Sequence, residues 1–334
     1  TLKFQPSVGE RVGRCLGAGS SVPGRRIPPP FGGQGGAMRV FPFSGLAPGA
    51  LFVAVVVCGR VVSGVEEGGG GGSPRASRVI GAGLCRTGTE SLREALDTLG
   101  YKTYHHMLTR DANHHGLWEK VYRTRGTCGA SVEAALDAMD GDDYNASTDL
   151  PVNLLYREQL ARHPDAKVIL SLRDSAEEWA ESYTSTVGSL FAHIARPPFS
   201  YFLPWMQDWL SFLSQRTGIK HSQADFAPVA SSLTKAYADW TKEVTDTVPP
   251  SQLLMYHSRQ GWRPLCDFLG VPPAECPTTP YPRDDSQDHW DRAVWFASII
   301  TFQWPLPLAL GTAALALLTF VAMRLFLGGA RAGG

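Results

Sequence analysis

The stretch from Arg78 to Leu92, RVIGAGLCRTGTESL, combines residue types that together bind anions. An apolar run is followed by a glycine-rich turn and then by the first turn of a helix. Backbone N–H groups in such a turn point toward a ligand, and the helix N-terminus adds partial positive charge. The stretch therefore predicts a binding site for an oxyanion.

Two known glycine patterns fit this turn only in part. The dinucleotide pattern G-x-G-x-x-G begins with Gly81 and Gly83, but Arg86 occupies the place of the third glycine. The nucleotide P-loop pattern fits from Gly83 to Gly88, but Thr89 replaces the lysine that reaches the β- and γ-phosphates of ATP. The positive charge lies within the loop at Arg86, where a planar guanidinium can hold a tetrahedral anion with two parallel hydrogen bonds.

The composition of the chain argues against several classes of ligand. Its 334 residues include 31 basic and 31 acidic residues, so no strongly positive surface for nucleic acid is expected. The six cysteines form no C-x-x-C pair, which argues against a zinc ribbon. Histidines at positions 105, 106, 114 and 115 lack the spacing of a metal site, so no metal is predicted.

The two ends of the chain do not have the sequence of a globular domain. Residues 1–37 are rich in Gly, Pro and Arg and are predicted to be disordered or a non-native leader. Residues 38–64 have a basic start, an apolar centre and small residues after it, which is the pattern of a signal peptide or signal anchor. Residues 65–77 form a glycine-rich linker, and a single globular domain is predicted over residues 78–285.

The C-terminal sequence predicts a transmembrane helix within residues 294–327. Its uncharged run continues to Arg324 and is longer than the roughly 20 residues that a bilayer requires. Acidic residues precede the run, whereas Arg324 and Arg331 follow it, which favours a cytoplasmic C-terminus and a domain in the lumen of the Golgi or endoplasmic reticulum. A tail-anchored protein with its domain in the cytosol is the alternative.

Strand and helix signals alternate between these ends. The pattern predicts an α/β fold of three layers, like that of P-loop NTPases, with a mostly parallel sheet. The predicted strands are 78–82, 101–104, 144–148, 167–172 and 253–256, and a helix capped by Asp174 follows the fourth. Open α/β sheets bind ligands at the carboxyl ends of their strands. The residues expected at this edge are Arg86, His105, Asp149 and Arg173.

Six segments occur in order along the chain. They are GLCRTGTESL (83–92), YHHM (104–107), TDLP (148–151), DAKVILSLRD (165–174), GWRPLCDFLGVPP (261–273) and PYPRDD (280–285). Together they resemble the P-loop sulfotransferases that use 3′-phosphoadenosine 5′-phosphosulfate, in the branch with G-L-P-R-T-G-T loops. The resemblance covers residues 78–283 and implies this nucleotide as the co-substrate.

The resemblance also implies which residues bind the nucleotide. Its 5′-phosphosulfate would lie against the loop residues Arg86, Thr87, Gly88, Thr89, Glu90 and Ser91, and its 3′-phosphate against Arg173 and Ser182. The chain departs from the family pattern at Cys85, where proline is usual, and at Glu90, where threonine is usual. A carboxylate at position 90 would repel the nucleotide unless it points away from it. A salt bridge to Asp174 or Glu177 is the alternative role for Arg173.

The resemblance assigns the catalytic residues in the same way. Asp149 in TDLP matches in position the histidine that serves as base in cytosolic relatives, and His105 or His106 is the alternative base. Asp149 could instead cap the following helix. Arg86 would stabilise charge that develops on the leaving phosphate oxygen.

These observations predict a membrane-anchored sulfotransferase. It would move a sulfuryl group from the nucleotide to a hydroxyl or amine of an unknown acceptor, which could be a small molecule, a glycan or a lipid. Two alternatives are a P-loop kinase that acts on a small molecule, and a catalytically inactive membrane scaffold with the same fold.

Overall fold

The computed structural model describes residues 77–105, 113–283, 287–305, 311–312 and 314–320. The predicted leader (1–37), the predicted signal segment (38–64) and residues 65–76 of the linker lie outside the described residues. His106, one of the candidate catalytic bases, also lies outside them.

Five parallel strands among the described residues form one sheet at the centre of the domain. They are β1 (Val79–Gly81), β2 (Thr103–Tyr104), β3 (Ala146–Ser147), β4 (Lys167–Ser171) and β5 (Leu253–Tyr256). Their order across the sheet is β2-β3-β1-β4-β5, and each neighbouring pair is parallel. Every strand lies within the segment predicted for it, so the prediction of an α/β fold with a parallel sheet is confirmed.

The helices follow the strands in the alternation that the sequence predicts. Those of the described residues are α1 (Thr89–Thr98), α2 (His115–Arg123), α3 (Gly129–Gly141), α4 (Tyr156–Arg162), α5 (Ala176–Tyr183), α6 (Ser189–Ile194), α7 (Phe199–Phe202), α8 (Trp205–Thr217), α9 (Ala230–Thr247), α10 (Trp262–Leu269) and α11 (Gln287–Gln303). A 3-10 turn, Ser258–Gln260, connects β5 to α10.

Helices cover both faces of the sheet and give the three predicted layers. Successive side chains of a strand point to opposite faces. Val79 and Ile169 therefore belong to one buried cluster, together with residues of α1 and α10. Ile80 and Val168 belong to a second and larger cluster, together with residues of α5, α8 and α9. Because both faces are covered, the strands are apolar at consecutive positions.

The strand order places a switch point beside β1. The chain passes from β1 to β2 and β3 on one side of the sheet, whereas β4 and β5 lie on the other side. The carboxyl ends of β1 and β4 therefore flank the crevice where open α/β sheets bind ligands. The loop after β1 and the residues after β4 meet there, because Arg173 Nε donates a hydrogen bond to the carbonyl of Arg86 at 2.6 Å.

The helix after β4 begins one residue later than the sequence analysis predicts. Ser175 is its N-cap, and Ser175 Oγ accepts a hydrogen bond from the backbone N–H of Glu178 at 3.0 Å. A short hydroxyl at this position satisfies an amide that has no partner within the helix. The Asp174 carboxylate is consequently available for other contacts, and it forms an ion pair with Arg259.

The prediction of a membrane span within residues 294–327 is not supported. Among the described residues, no helix combines the length and the apolar character needed to cross a bilayer. The first part of the predicted segment belongs to α11, which packs against α6 and buries Ala293, Ala297 and Thr301. Side chains four residues apart lie on one face of a helix, so this face is used for packing within the domain. Residues 306–310, 313 and 321–334 lie outside the described residues.

Candidate active site

The loop after β1 is held in place from outside by side chains of the domain. The carbonyl oxygens of residues 82–86 each accept a side-chain hydrogen bond of 2.6–2.9 Å. The donors, in order along the loop, are Trp240 Nε1, Asn153 Nδ2, Thr87 Oγ1, Trp179 Nε1 and Arg173 Nε. In a trans peptide the N–H points away from the neighbouring C=O. Each loop N–H therefore points away from the donor that is bound to the carbonyl of the same peptide.

Close packing fixes the base of the loop. A Cβ atom added at Gly83 would lie 1.9 Å from Ser171 Oγ and 2.8 Å from the Ser171 carbonyl oxygen, so only glycine fits. Thr87 Oγ1 and Ser171 Oγ are hydrogen-bonded at 2.7 Å across the same contact. Arg86 and Gly88 both have left-handed backbone conformations, with φ of 68° and 86°. The turn thus ends at a glycine for which this conformation costs little.

A cavity of about 430 Å³ opens beside the loop. Its lining comes from the segments after β1, β4 and β5 and from the chain after α10. The lining residues are Thr87, Gly88, Ser91, Leu172, Arg173, Asp174, His257, Ser258, Arg259, Pro282 and Arg283. Three arginines stand against one aspartate, so the cavity is suited to an anionic ligand. Its volume lies within the usual range for small-molecule sites.

Carboxylates hold two of the cavity arginines. Arg173 pairs with Glu178 at 3.1 Å, and Arg259 pairs with Asp174. The carboxylates orient the guanidinium groups in advance, although all four side chains are between 33% and 69% exposed. Exposed ion pairs of this type stabilise a fold only weakly, so a ligand phosphate can replace the carboxylates at small cost.

The third cavity arginine is positioned by the segment that follows α10. A disulfide joins Cys266 on α10 to Cys276, a pairing that the sequence analysis does not predict. Trp262 Nε1 donates a hydrogen bond to the carbonyl of Thr279 at 2.8 Å, and the Trp262 and Tyr281 rings pack edge to face. These contacts hold the segment against α10 and place Arg283 at the cavity.

A second group of polar side chains lies at the carboxyl ends of β2 and β3. His105 is buried, and its Nε2 lies 3.3 Å from Asp149 Oδ2 and 3.2 Å from Glu90 Oε2. Glu90 also accepts hydrogen bonds from Arg93 at 2.6 and 3.0 Å. We call His105, Asp149 and Glu90 the histidine cluster.

The Glu90 carboxylate points to His105, and Glu90 is not one of the cavity-lining residues. Burial raises the pKa of its carboxyl group, but His105 and Arg93 lower it by more, so the pKa lies below its ordinary value. Glu90 is therefore ionised near neutral pH and has cationic or polar partners within α1 and at the end of β2. The contacts with Arg93 and His105 explain how the Glu90 carboxylate is accommodated next to a loop that is suited to anions.

Asp149 does not cap the next helix. Its backbone is left-handed, with φ of 66°, and no side-chain cap hydrogen bond is formed at the helical turn that follows it. The carboxylate points to His105 instead. The alternative role as a helix cap is therefore wrong, and the residue lies where it can orient an imidazole.

The structure brings part of the predicted nucleotide-binding set together. Four residues of the set line the cavity, namely Thr87, Gly88, Ser91 and Arg173. Thr89 is buried at the start of α1. Arg86 donates from Nε to Ser182 Oγ at 3.3 Å, and its guanidinium lies over the Trp290 ring at 5.6 Å. Ser182 thus contacts Arg86 and not Arg173, and neither Arg86 nor Ser182 is among the residues that line the cavity.

A family model described as "Sulfotransferase domain" matches residues 78–290. The chain belongs to the sulfotransferase domain family. A similar protein is "Ava biosynthesis cluster protein M" from Aspergillus versicolor, which is 30% identical over 213 residues, or 59% of this chain and 78% of the relative. The matched region contains the loop, the cavity and the histidine cluster.

The sulfotransferase domain contains cavity residues that the sequence analysis does not assign to the site. They are Asp174, His257, Ser258, Arg259, Pro282 and Arg283, together with Leu172. His257, Ser258 and Arg259 directly follow β5, so the strand-end argument applied to this last strand indicates them. Arg283 carries no such signal, because the disulfide and the Trp262 contacts bring it to the cavity.

Proposed function

We propose that the sulfotransferase domain moves a sulfuryl group from 3′-phosphoadenosine 5′-phosphosulfate to a hydroxyl or amine. The observation that carries the proposal is the cavity shared by a phosphate-type loop and three arginines. An amide-lined loop at a helix N-terminus binds one anionic group, and guanidinium groups bind a second. A nucleotide with anionic groups at both its 5′ and 3′ positions matches both features.

The residues divide between the two ends of this nucleotide. Thr87, Gly88 and Ser91 belong to the loop and to α1, so they would hold the 5′-phosphosulfate. Arg173 and Arg259 lie after β4 and β5; both pair with Glu178, and Arg259 also pairs with Asp174. They would hold the 3′-phosphate, which replaces those carboxylates as their partner.

The histidine cluster supplies a base for the acceptor. The acceptor oxygen or nitrogen bonds to sulfur while the bond between sulfur and the 5′-phosphate oxygen breaks, and the leaving nucleotide keeps the electron pair. His105 takes the proton of the acceptor, because histidine is the side chain that serves most often as a general base. Asp149 acts as a positioning residue, since it contacts His105 Nε2 and orients the ring.

Nucleotide competition tests the donor. Adenosine 3′,5′-bisphosphate is expected to stabilise the folded protein by about 2.7 kcal/mol at one hundred times its Kd, and ATP is expected to have little effect. Arg173→Ala should reduce this stabilisation. Arg162→Ala is the matched control, because Arg162 pairs with Glu133 and Asp137 on the surface and does not line the cavity.

The other outcomes separate the alternatives. Stabilisation by ATP and not by the bisphosphate would support a small-molecule kinase and reject sulfuryl transfer. Binding of the bisphosphate without transfer of labelled sulfate to any hydroxyl or amine in an acceptor screen would support an inactive scaffold. Transfer of label to an acceptor that is a small molecule, a glycan or a lipid would identify the acceptor class.

We also propose that the domain lies in the lumen of the secretory pathway. The Cys266–Cys276 disulfide supports this location, because disulfides persist in oxidising compartments and are rare in the cytosol. In intact cells, a thiol-blocking reagent should modify these two cysteines only after reduction. Modification without reductant, in protein that is folded, would place the domain in the cytosol.

A further inference from the structure

A face formed by α7 and α11 exposes large aromatic side chains. Tyr201 and Phe202 on α7 are 68% and 52% exposed, and Trp295 and Phe302 on α11 are 63% and 69% exposed. Trp295 and Phe302 are seven residues apart and so lie on one side of α11. We call these four residues the aromatic face. Single exposed apolar residues are common, but a group of four large rings marks an interaction site.

Packing within the domain determines the direction in which these side chains point. Ala293, Ala297 and Thr301 hold the opposite side of α11 against α6, so Trp295 points away from the core. The Phe302 ring meets the His193 ring of α6 edge to face at 5.8 Å and leaves its other side exposed. The Tyr201 and Trp304 rings meet edge to face at 6.1 Å, which joins α7 to the end of α11. Phe302 also lies near the start of α7, because the Arg196 guanidinium lies over its ring and the Arg196 carbonyl accepts a hydrogen bond from the N–H of Ser200 on α7.

The chain beyond α11 indicates the chemistry of the partner. Residues 314–320, ALALLTF, are helical, and every one of them is exposed. Seven consecutive residues cover the whole circumference of a helix. A protein groove covers one side of a helix, whereas lipid can cover all sides. The exposure of apolar residues around this helix therefore favours lipid as the partner of this end of the molecule.

We propose that the aromatic face docks on the surface of a lipid bilayer. Tyr201 and Trp295 have an apolar ring with one polar atom, and such rings concentrate at the level of the lipid headgroups. Arg196, whose guanidinium lies over the Phe302 ring at 5.6 Å, is placed to contact headgroup phosphates. The folded domain itself then contacts the membrane.

Fluorescence quenching by brominated lipids tests this contact directly. The full chain would be mixed with phosphatidylcholine vesicles whose acyl chains carry bromine close to the headgroups. The difference in tryptophan emission between wild type and Trp295→Phe is the contribution of Trp295 alone. This component of the emission is expected to fall in brominated vesicles. If it is the same in brominated and ordinary vesicles, the docking proposal is wrong.

Variants on α7 test whether docking needs the folded face. Tyr201→Ser combined with Phe202→Ser should lower the quenching of Trp295 and should reduce vesicle binding by about tenfold or more, because two large rings no longer leave water. Met255→Ser is the control, since Met255 is 48% exposed and lies on β5. Unchanged quenching of Trp295 in the double variant would reject the proposal.

A second copy of the chain is the competing occupant. If the aromatic face were a dimer interface, the full chain would sediment as a dimer without lipid, and the α7 double variant would be a monomer. That result, with Trp295 insensitive to brominated lipid, would overturn the proposal. Thermal stabilisation by adenosine 3′,5′-bisphosphate should be unchanged in the double variant, which shows that the variant is folded.

Discussion

The cavity and the histidine cluster both adjoin the start of α1, through Ser91 and Glu90 respectively, but they differ in their physical character. The cavity arginines are partly exposed, and carboxylates that are themselves partly exposed accompany them. His105 and Asp149 are buried and lie within 3.3 Å of each other. Charges near water interact weakly, whereas buried groups interact strongly and depend on geometry.

This difference separates binding from chemistry. Exposed arginines can exchange a carboxylate partner for a phosphate as a nucleotide enters and leaves. A buried imidazole held by a carboxylate keeps one orientation, as a base for proton transfer requires. We therefore expect variants in the cavity to change nucleotide affinity and variants in the cluster to change the rate of transfer.

The largest expected effect is that of His105→Gln. Loss of the base should lower kcat roughly 10²- to 10⁴-fold, while the Kd for adenosine 3′,5′-bisphosphate stays unchanged. The measurement is transfer of labelled sulfate to an acceptor found in the screen, alongside nucleotide binding. His115→Gln is the control, because His115 is half-buried on α2, where it contacts Glu119 and the Trp205 ring and none of the cluster residues. Equal loss of affinity and kcat would remove the distinction between the two regions.

Asp149→Asn separates positioning from proton transfer. The variant keeps the size of the side chain but removes the negative charge that lies 3.3 Å from His105 Nε2, so the pH profile of kcat should shift while transfer continues. A lower kcat with an unchanged pH profile would show that Asp149 has a structural role only.

The next largest effect is expected for Gly83→Ala, which acts on both regions at once. The added methyl would meet the side chain and the backbone of Ser171, and it should lower the free energy of unfolding by about 1–3 kcal/mol. Both nucleotide binding and transfer should fall. Gly116→Ala in α2 is the matched control, since nothing lies within 4 Å of its added Cβ, and alanine there should stabilise the helix by up to about 1 kcal/mol. Denaturant unfolding measures both changes.

Arg259→Ala should act on the cavity alone. Loss of one charge-assisted contact should weaken binding of adenosine 3′,5′-bisphosphate by roughly tenfold and leave kcat at saturating donor unchanged. Titration calorimetry measures the affinity. Arg157→Ala is the control, because Arg157 forms an exposed pair with Glu243 and does not line the cavity. A fall in kcat at saturation would place Arg259 in the chemistry.

The smallest effect is expected from the pH dependence of Glu90. Because the pKa of Glu90 is lowered in the fold, its ionised form stabilises the protein at pH values above 4.5, its ordinary pKa, and this stabilisation is lost as the pH falls through the lowered value. The stability of Glu90→Gln should therefore be lower than wild type by under about 1 kcal/mol near pH 7. The difference should shrink below pH 4.5, as measured by urea unfolding. If the difference in the free energy of unfolding between Glu90→Gln and wild type does not change with pH, the lowered pKa of Glu90 is contradicted.

Much of the fold follows from the sequence, because its signals are local. Apolar runs such as KVILS, flanked by glycine or charged residues, predict the strands, and each of the five is found in its segment. The glycine spacing from Gly83 to Gly88 predicts the loop that the structure places before α1. Helix caps are less certain, because Asp174 and Ser175 are both good caps and only the start of the backbone turn decides between them.

The site is less predictable, because its contacts join residues that are distant in sequence. The loop pattern and the strand-end argument indicate Thr87 and Arg173, which line the cavity. They do not indicate that Arg86 turns toward Ser182, since that depends on the left-handed backbone at Arg86. Charge alone predicts repulsion between Glu90 and a nucleotide. In the fold, however, the Glu90 carboxylate lies at ion-pair distance from Arg93 and His105.

The sequence by itself determined the class of the fold and the presence of an oxyanion loop, because strand periodicity, glycine spacing and helix starts depend on neighbours along the chain. The tertiary structure decided which charges meet. It brought Arg283 to the cavity through contacts with α10, and it placed His105 between Asp149 and Glu90, because burial and orientation depend on side chains that only folding brings within a few ångströms of each other.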